Sequence, residues 1–306
     1  MSQLERRRGE DAFAAIPAGA RLPPLWALPL IMLLIGVSLA ALMAVAAVLL
    51  VVLKLDPTTD WRAAAWLVGG ALSLTAALVA VWITYFERRP LATAGIGRLR
   101  PAGDAAWFVV GIVFAGVVAM AITSVGEGAA AELGELPRQA AANPGRLFTG
   151  AAVVVLVMLT NSAAEELLFR GWALSVIGRR AGLGWAAGVT SVLFGAAHVP
   201  PHEWADPARF LSFVSYAFAG LAFAGLALWR RSLWAPIAFH TGFNTLLLTG
   251  AYAEAGLDPA RLLEKFTTLP LGTKNVDEAL VWLTAEVAFA ALMIWLWRRS
   301  RRISAR

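Results

Sequence analysis

Apolar residues fall in long runs separated by short polar stretches. Leu25 to Leu53, Ala63 to Phe86 and Ala105 to Val125 form the first three runs, and a fourth opens near Leu147 and ends at Arg179 and Arg180. Gly182 to His198, Phe210 to Trp229, Ser232 to Thr249 and Ala279 to Trp297 follow. A hydrocarbon core about 30 Å thick takes about 20 apolar helical residues, so the pattern predicts an all-α, polytopic integral membrane protein with about eight transmembrane helices. The first run follows a basic start, Arg6 to Arg8 and Arg21, that resembles the charged leader of a signal peptide. It exceeds the ~7 to 15 apolar residues of such a peptide and is expected to be an uncleaved first span. Residues 126–146 and 250–278 are expected to be polar, partly helical connections.

Basic residues orient these spans, because loops on the cytoplasmic side are enriched in Lys and Arg. Arg6 to Arg8, Arg88 with Arg89, Arg98 with Arg100, Arg179 with Arg180, Arg230 with Arg231, and Arg298 to Arg302 all fall on one side of the alternation. Asp56, Asp60, Glu127, Glu132, Glu135, Glu203 and Asp258 fall on the other. The N and C termini are therefore expected to be cytoplasmic.

Composition agrees: 59% of residues are hydrophobic and 15% charged, against about 25% charged in globular proteins. A net charge of +6 raises the question of nucleic acid, but the Arg residues cluster between apolar runs, where they set topology, so nucleic-acid binding is not expected. The absence of cysteine excludes disulfides, thiolate zinc sites and thiol nucleophiles.

Against this apolar background Glu165, Glu166 and Arg170 form a charged cluster, EELLFR, inside the fourth run. A charge at the bilayer centre costs roughly 2.5–3.5 kcal/mol on insertion scales, so the cluster needs partners or a cavity and points to function. Residues four apart share a helix face, which pairs Glu166 with Arg170. Glu165 then faces elsewhere, one turn after Asn161, and is the candidate base. The structural alternative is a buried ion network that only holds helices together. Of the three histidines, His198 ends the fifth run and His240 lies in the seventh, with Asn244 one turn later. Each alone reads as interhelical hydrogen-bonding glue. Together, a carboxylate, two imidazoles and an amide on three helices supply what water activation and oxyanion stabilisation require. His202, in the polar HVPPHEW stretch, is expected at the surface.

The order EExxxR (Glu165, Glu166, Arg170), FxxxH (Phe194, His198) and HxxxN (His240, Asn244) resembles the CAAX prenyl endopeptidase and bacteriocin-processing (CPBP or Abi) family of intramembrane proteases. The resemblance implies peptide-bond hydrolysis within the membrane and divides the chain into N-terminal helices at 1–146, a catalytic core at 147–250 and a last region at 251–306. That last region holds an outer loop, the final helix and a basic tail. The resemblance also implies that Glu165 activates water, that His198 positions that water or a metal, that His240 and Asn244 stabilise the oxyanion, and that Glu166 and Arg170 are supporting.

Two mechanisms stay open. Zn2+ could be held by His198, His240 and Glu165, although HExxH is absent, or Glu165 could act without metal. No serine or aspartyl constellation is present. The expected partners are a membrane-anchored or lipidated peptide substrate and membrane lipids, and the expected location is the plasma (cytoplasmic) membrane. The alternatives are a non-catalytic scaffold or bacteriocin-immunity protein of the same fold and, third, a proton-coupled transporter, against which the lack of two similar halves argues.

Overall fold

The computed structural model describes Phe13, Ile16, Pro17, residues 19–27, scattered positions between 37 and 54, and residues 61–123, 128–199, 201–258 and 275–304. These form helices with no strand among the described residues. In chain order they are α1 (Trp61–Val81), extended by a π-helical turn (Trp82–Phe86), α2 (Pro101–Thr123), α3 (Gly128–Ala142) and α4 (Pro144–Glu166). A π-helical segment (Leu167–Ala173) joins α4 to α5 (Leu174–Ala181), and α6 (Leu183–His198), α7 (Pro207–Arg230), α8 (Trp234–Glu254) and α9 (Val276–Ser304) complete the order.

Five stretches are long and apolar enough to cross a membrane: Gly69–Phe86, Pro101–Ile122, Pro144–Ala181, Pro207–Arg230 and Val276–Ile303. They coincide with the second, third, fourth, sixth and eighth expected spans. The fifth is the shorter apolar helix α6, with 16 residues. The seventh is α8, whose His240, Asn244 and threonines dilute its apolar character. The first, Leu25 to Leu53, lies mostly outside the described residues. The expected connection at 126–146 is helical over α3, which packs on α8.

Breaks between helices have local causes. Gly182, at φ +87°, takes a backbone conformation that side chains with a Cβ resist, and α5 stops there. Asp206 caps α7: its Oδ1 accepts from the Ala208 amide at 2.8 Å, and Pro207 fills the first helical position, where no amide hydrogen is needed.

Packing centres on α7 and α8. The most extensive contacts among the described residues are those of α7 with α9, α8 with α2, α6 with α7, and α8 with α4. Between α2 and α8 the backbones touch through glycine: a Cβ on Gly242 would strike the Phe108 carbonyl, and one on Gly111 the Phe239 carbonyl. Small residues allow this approach where lipid offers no hydrophobic drive for helix association. It fixes the stretch of α8 that carries His240.

Arg89, one of the basic residues used to orient the spans, is only 2% exposed: Glu87, itself wholly buried, accepts from its Nε at 2.6 Å. The Arg89 Nη1 also donates to Thr93 at 3.0 Å, so this arginine is structural.

Candidate active site

Three helices bring the sequence-derived residues together. Glu165 stands near the end of α4, His198 is the last residue of α6, and His240 lies two turns into α8. The Glu165 Oε2 lies 3.9 Å from the His198 Nε2 and 4.0 Å from the His240 Nε2. Its Oε1 accepts from the Asn161 Nδ2 at 2.9 Å, one turn earlier on the same helix. That bond fixes one oxygen and turns the other towards the imidazoles. Buried Oε2 makes no hydrogen bond among the described residues.

The two imidazoles are oriented by their other nitrogens. His198 Nδ1 is 2.8 Å from the Phe194 carbonyl, which can only accept, so Nδ1 carries the proton and a neutral ring leaves Nε2 as an acceptor facing Glu165. The ring also stacks on Tyr216 of α7 at 4.6 Å between centroids, with planes 24° apart. His240 Nδ1 lies 3.1 Å from the Glu166 Oε1. His240 is thus held from behind by the carboxylate that also accepts from the Arg170 Nη1 at 3.0 Å.

Glu166 and Arg170 are both 0% exposed, and the pairing expected from helix spacing is present. The remaining Arg170 Nε and Nη2 have no hydrogen-bond acceptor among the described residues. Aromatic faces compensate: the guanidinium lies 4.2 Å from the Phe194 ring centroid and 5.2 Å from that of Phe223. Thus EELLFR divides as expected, with Glu166 and Arg170 forming the wall behind His240 and Glu165 facing the space between the imidazoles. Asn244 follows His240 by one turn of α8 and is half-buried. His202 is exposed, as expected.

The carboxylate-to-imidazole gaps of the trio are wider than those between two ligands of one tetrahedral zinc. Two ligands at about 2.1 Å from zinc stand about 3.4 Å apart. Here the carboxylate-to-imidazole distances are 3.9 and 4.0 Å, and among the described residues no group of three or more His, Cys, Asp or Glu could hold a metal ion. The same gaps are too long for direct hydrogen bonds, which end near 3.2 Å. The 3.9 Å between Glu165 and His198 suits one water bridging two acceptors with bonds of about 2.8 Å.

Three contributors were not singled out from sequence. Glu286, the one charged residue of α9 between Glu278 and Arg298, is 6% exposed and accepts from the Ser215 hydroxyl at 2.5 Å. The argument that flagged EELLFR, a charge within an apolar span, applies to it equally. Tyr216 carries no such signal in the sequence. Glu87 accepts from the indole nitrogens of Trp82 at 3.0 Å and Trp172 at 2.6 Å and so ties the π segment to the end of α1. Its place in FERRP reads as a loop charge.

Residues 147–246 match the family model described as type II CAAX prenyl endopeptidase Rce1-like. The match spans all three motifs and leaves the helices before and after it uncovered. No curated protein and no solved structure matches the chain.

Proposed function

Taking residues 147–246 as the type II CAAX prenyl endopeptidase Rce1-like domain that they match, we propose that this multi-pass membrane protein is an intramembrane endopeptidase using Glu165 as base. It hydrolyses a peptide bond in a membrane-anchored or lipidated peptide. The observation that carries this reading is the unpartnered Glu165 Oε2 facing two imidazole nitrogens at 3.9 and 4.0 Å.

Water between these groups gives its hydrogens to Glu165 Oε2 and His198 Nε2 and keeps a lone pair for the scissile carbonyl. As the O–C bond forms, Glu165 takes a proton; it returns that proton to the leaving amine as the C–N bond breaks. The oxyanion that develops accepts from the Asn244 amide and from the His240 Nε2–H. Glu166, 3.1 Å from the His240 Nδ1, holds that ring with Nε2 towards the site. Asn161 keeps the base in its productive rotamer.

The wider organisation is proposed with it: about eight spans, with N-terminal helices at 1–146, the catalytic core at 147–250, a last region at 251–306, and both termini in the cytoplasm of a plasma-membrane protein. A fluorescent protein fused at the C terminus is expected to mature, since it does so only in the cytoplasm. A dark fusion with an active periplasmic-type phosphatase reporter at the same point would reverse the orientation. To test the activity, membrane fractions from cells with wild-type and Glu165→Ala protein are compared by mass spectrometry of peptide termini. New termini in lipidated or membrane-anchored proteins are expected only with wild type, and identical profiles would remove the endopeptidase reading.

A further inference from the structure

Glu286 is a carboxylate buried in a helix that the family match does not reach. A lone acid in the interior of an apolar span is costly unless it is held for a purpose. Its bond from Ser215 crosses between α9 and α7, which pack along an extended contact. Ser215 is followed by Tyr216, whose ring covers one face of the His198 imidazole at 4.6 Å.

We propose that Glu286 is a positioning residue for His198, acting through Ser215 and the backbone of α7 to keep Tyr216 flat against the imidazole; the inference rests on the proposed use of His198. Ser215 and Tyr216 are consecutive and point about 100° apart on the helix. Anchoring Ser215 to α9 therefore sets the rotation of α7 and, with it, the angle at which Tyr216 meets His198. On the opposite side the Phe194 carbonyl holds Nδ1, so the ring is clamped with Nε2 towards Glu165. The acid acts as a hydrogen-bond acceptor for Ser215, and its charge takes no part in the reaction.

The test uses the full chain in lipid nanodiscs. Diethyl pyrocarbonate modifies imidazole nitrogens, and with only three histidines each can be followed by peptide mass spectrometry. The rate at His198, normalised to exposed His202 in the same molecule, is expected to rise about threefold or more in Glu286→Leu and in Tyr216→Leu, and no further in the double variant, because both act on one element. Glu286→Gln, which still accepts from Ser215, is expected to match wild type. In parallel, kcat on a cleaved peptide is expected to fall about tenfold in Glu286→Leu with KM unchanged. If Glu286→Leu does not fold, Ser215→Ala breaks the same bond from the other side. An unchanged His198 rate, or effects of Glu286→Leu and Tyr216→Leu that multiply, would overturn the proposal and leave Glu286 as glue between α7 and α9. Expected labelling in a wild-type protein that cleaves nothing would instead overturn the endopeptidase reading and keep the clamp.

Discussion

At the scale of single residues, the site depends on two adjacent glutamates having different surroundings. Glu166 has its Oε1 shared by Arg170 and His240, while Glu165 is tied at Oε1 by Asn161 and turns a buried Oε2 towards the imidazoles. Removing one partner of a buried pair leaves the other charge uncompensated, a loss of about 3–5 kcal/mol. Arg170→Leu is therefore expected to lower the unfolding temperature in detergent strongly, and a variant as stable as wild type would show that Glu166 finds other support. This division was legible from spacing alone: i to i+4 placed Glu166 on Arg170. The Asn161 bond was within reach of the same rule, since Asn161 and Glu165 are also four apart. Glu286 was open to the argument that flagged EELLFR, and only its partner, Ser215, 71 residues away, leaves no trace in sequence spacing.

At the scale of elements, the helical identity of the apolar runs was legible because about 20 apolar residues in lipid have few other ways to satisfy their backbone. The π segment at Leu167–Ala173 was not. Its hydrophobic pattern is that of any apolar helix, and what holds it, the Trp172 indole on Glu87, comes from another helix. Such single-turn insertions recur at functional sites, and this one directly follows the glutamates. Glycine contact was equally hidden, since the chain has 27 glycines and only the packing distinguishes Gly111 and Gly242. A side chain at Gly242 must push α2 away from α8, two residues beyond His240. Overpacking of this kind costs about 1–3 kcal/mol. Gly242→Val is expected to cut cleavage more than it lowers the unfolding temperature, whereas Gly97→Val, where nothing lies within 4 Å of the added Cβ, leaves both unchanged. Equal activity in the two variants would dissociate the α2 contact from the site.

At the scale of the whole molecule, the proposed hydrolytic centre sits inside a bundle whose outer faces are apolar. Exposed side chains such as Val109, Val113, Val117 and Met120 on α2, or Leu292 and Trp295 on α9, suit lipid contact, and the charged residues of the site point inward. The helices outside the matched domain contribute to it: α2 seats α8, the end of α1 holds the π segment, and α9 anchors α7. The site is thus a property of the assembled bundle.

The central claim is that Glu165 activates water for peptide-bond hydrolysis. Its most direct test is cleavage of a lipidated peptide by purified protein in nanodiscs, in water enriched in oxygen-18, comparing wild type with Glu165→Gln. Wild type is predicted to yield a new carboxylate carrying one heavy oxygen, and Glu165→Gln to lose at least about 10² of the rate while remaining folded. Cleavage by Glu165→Gln at the wild-type rate would contradict the account.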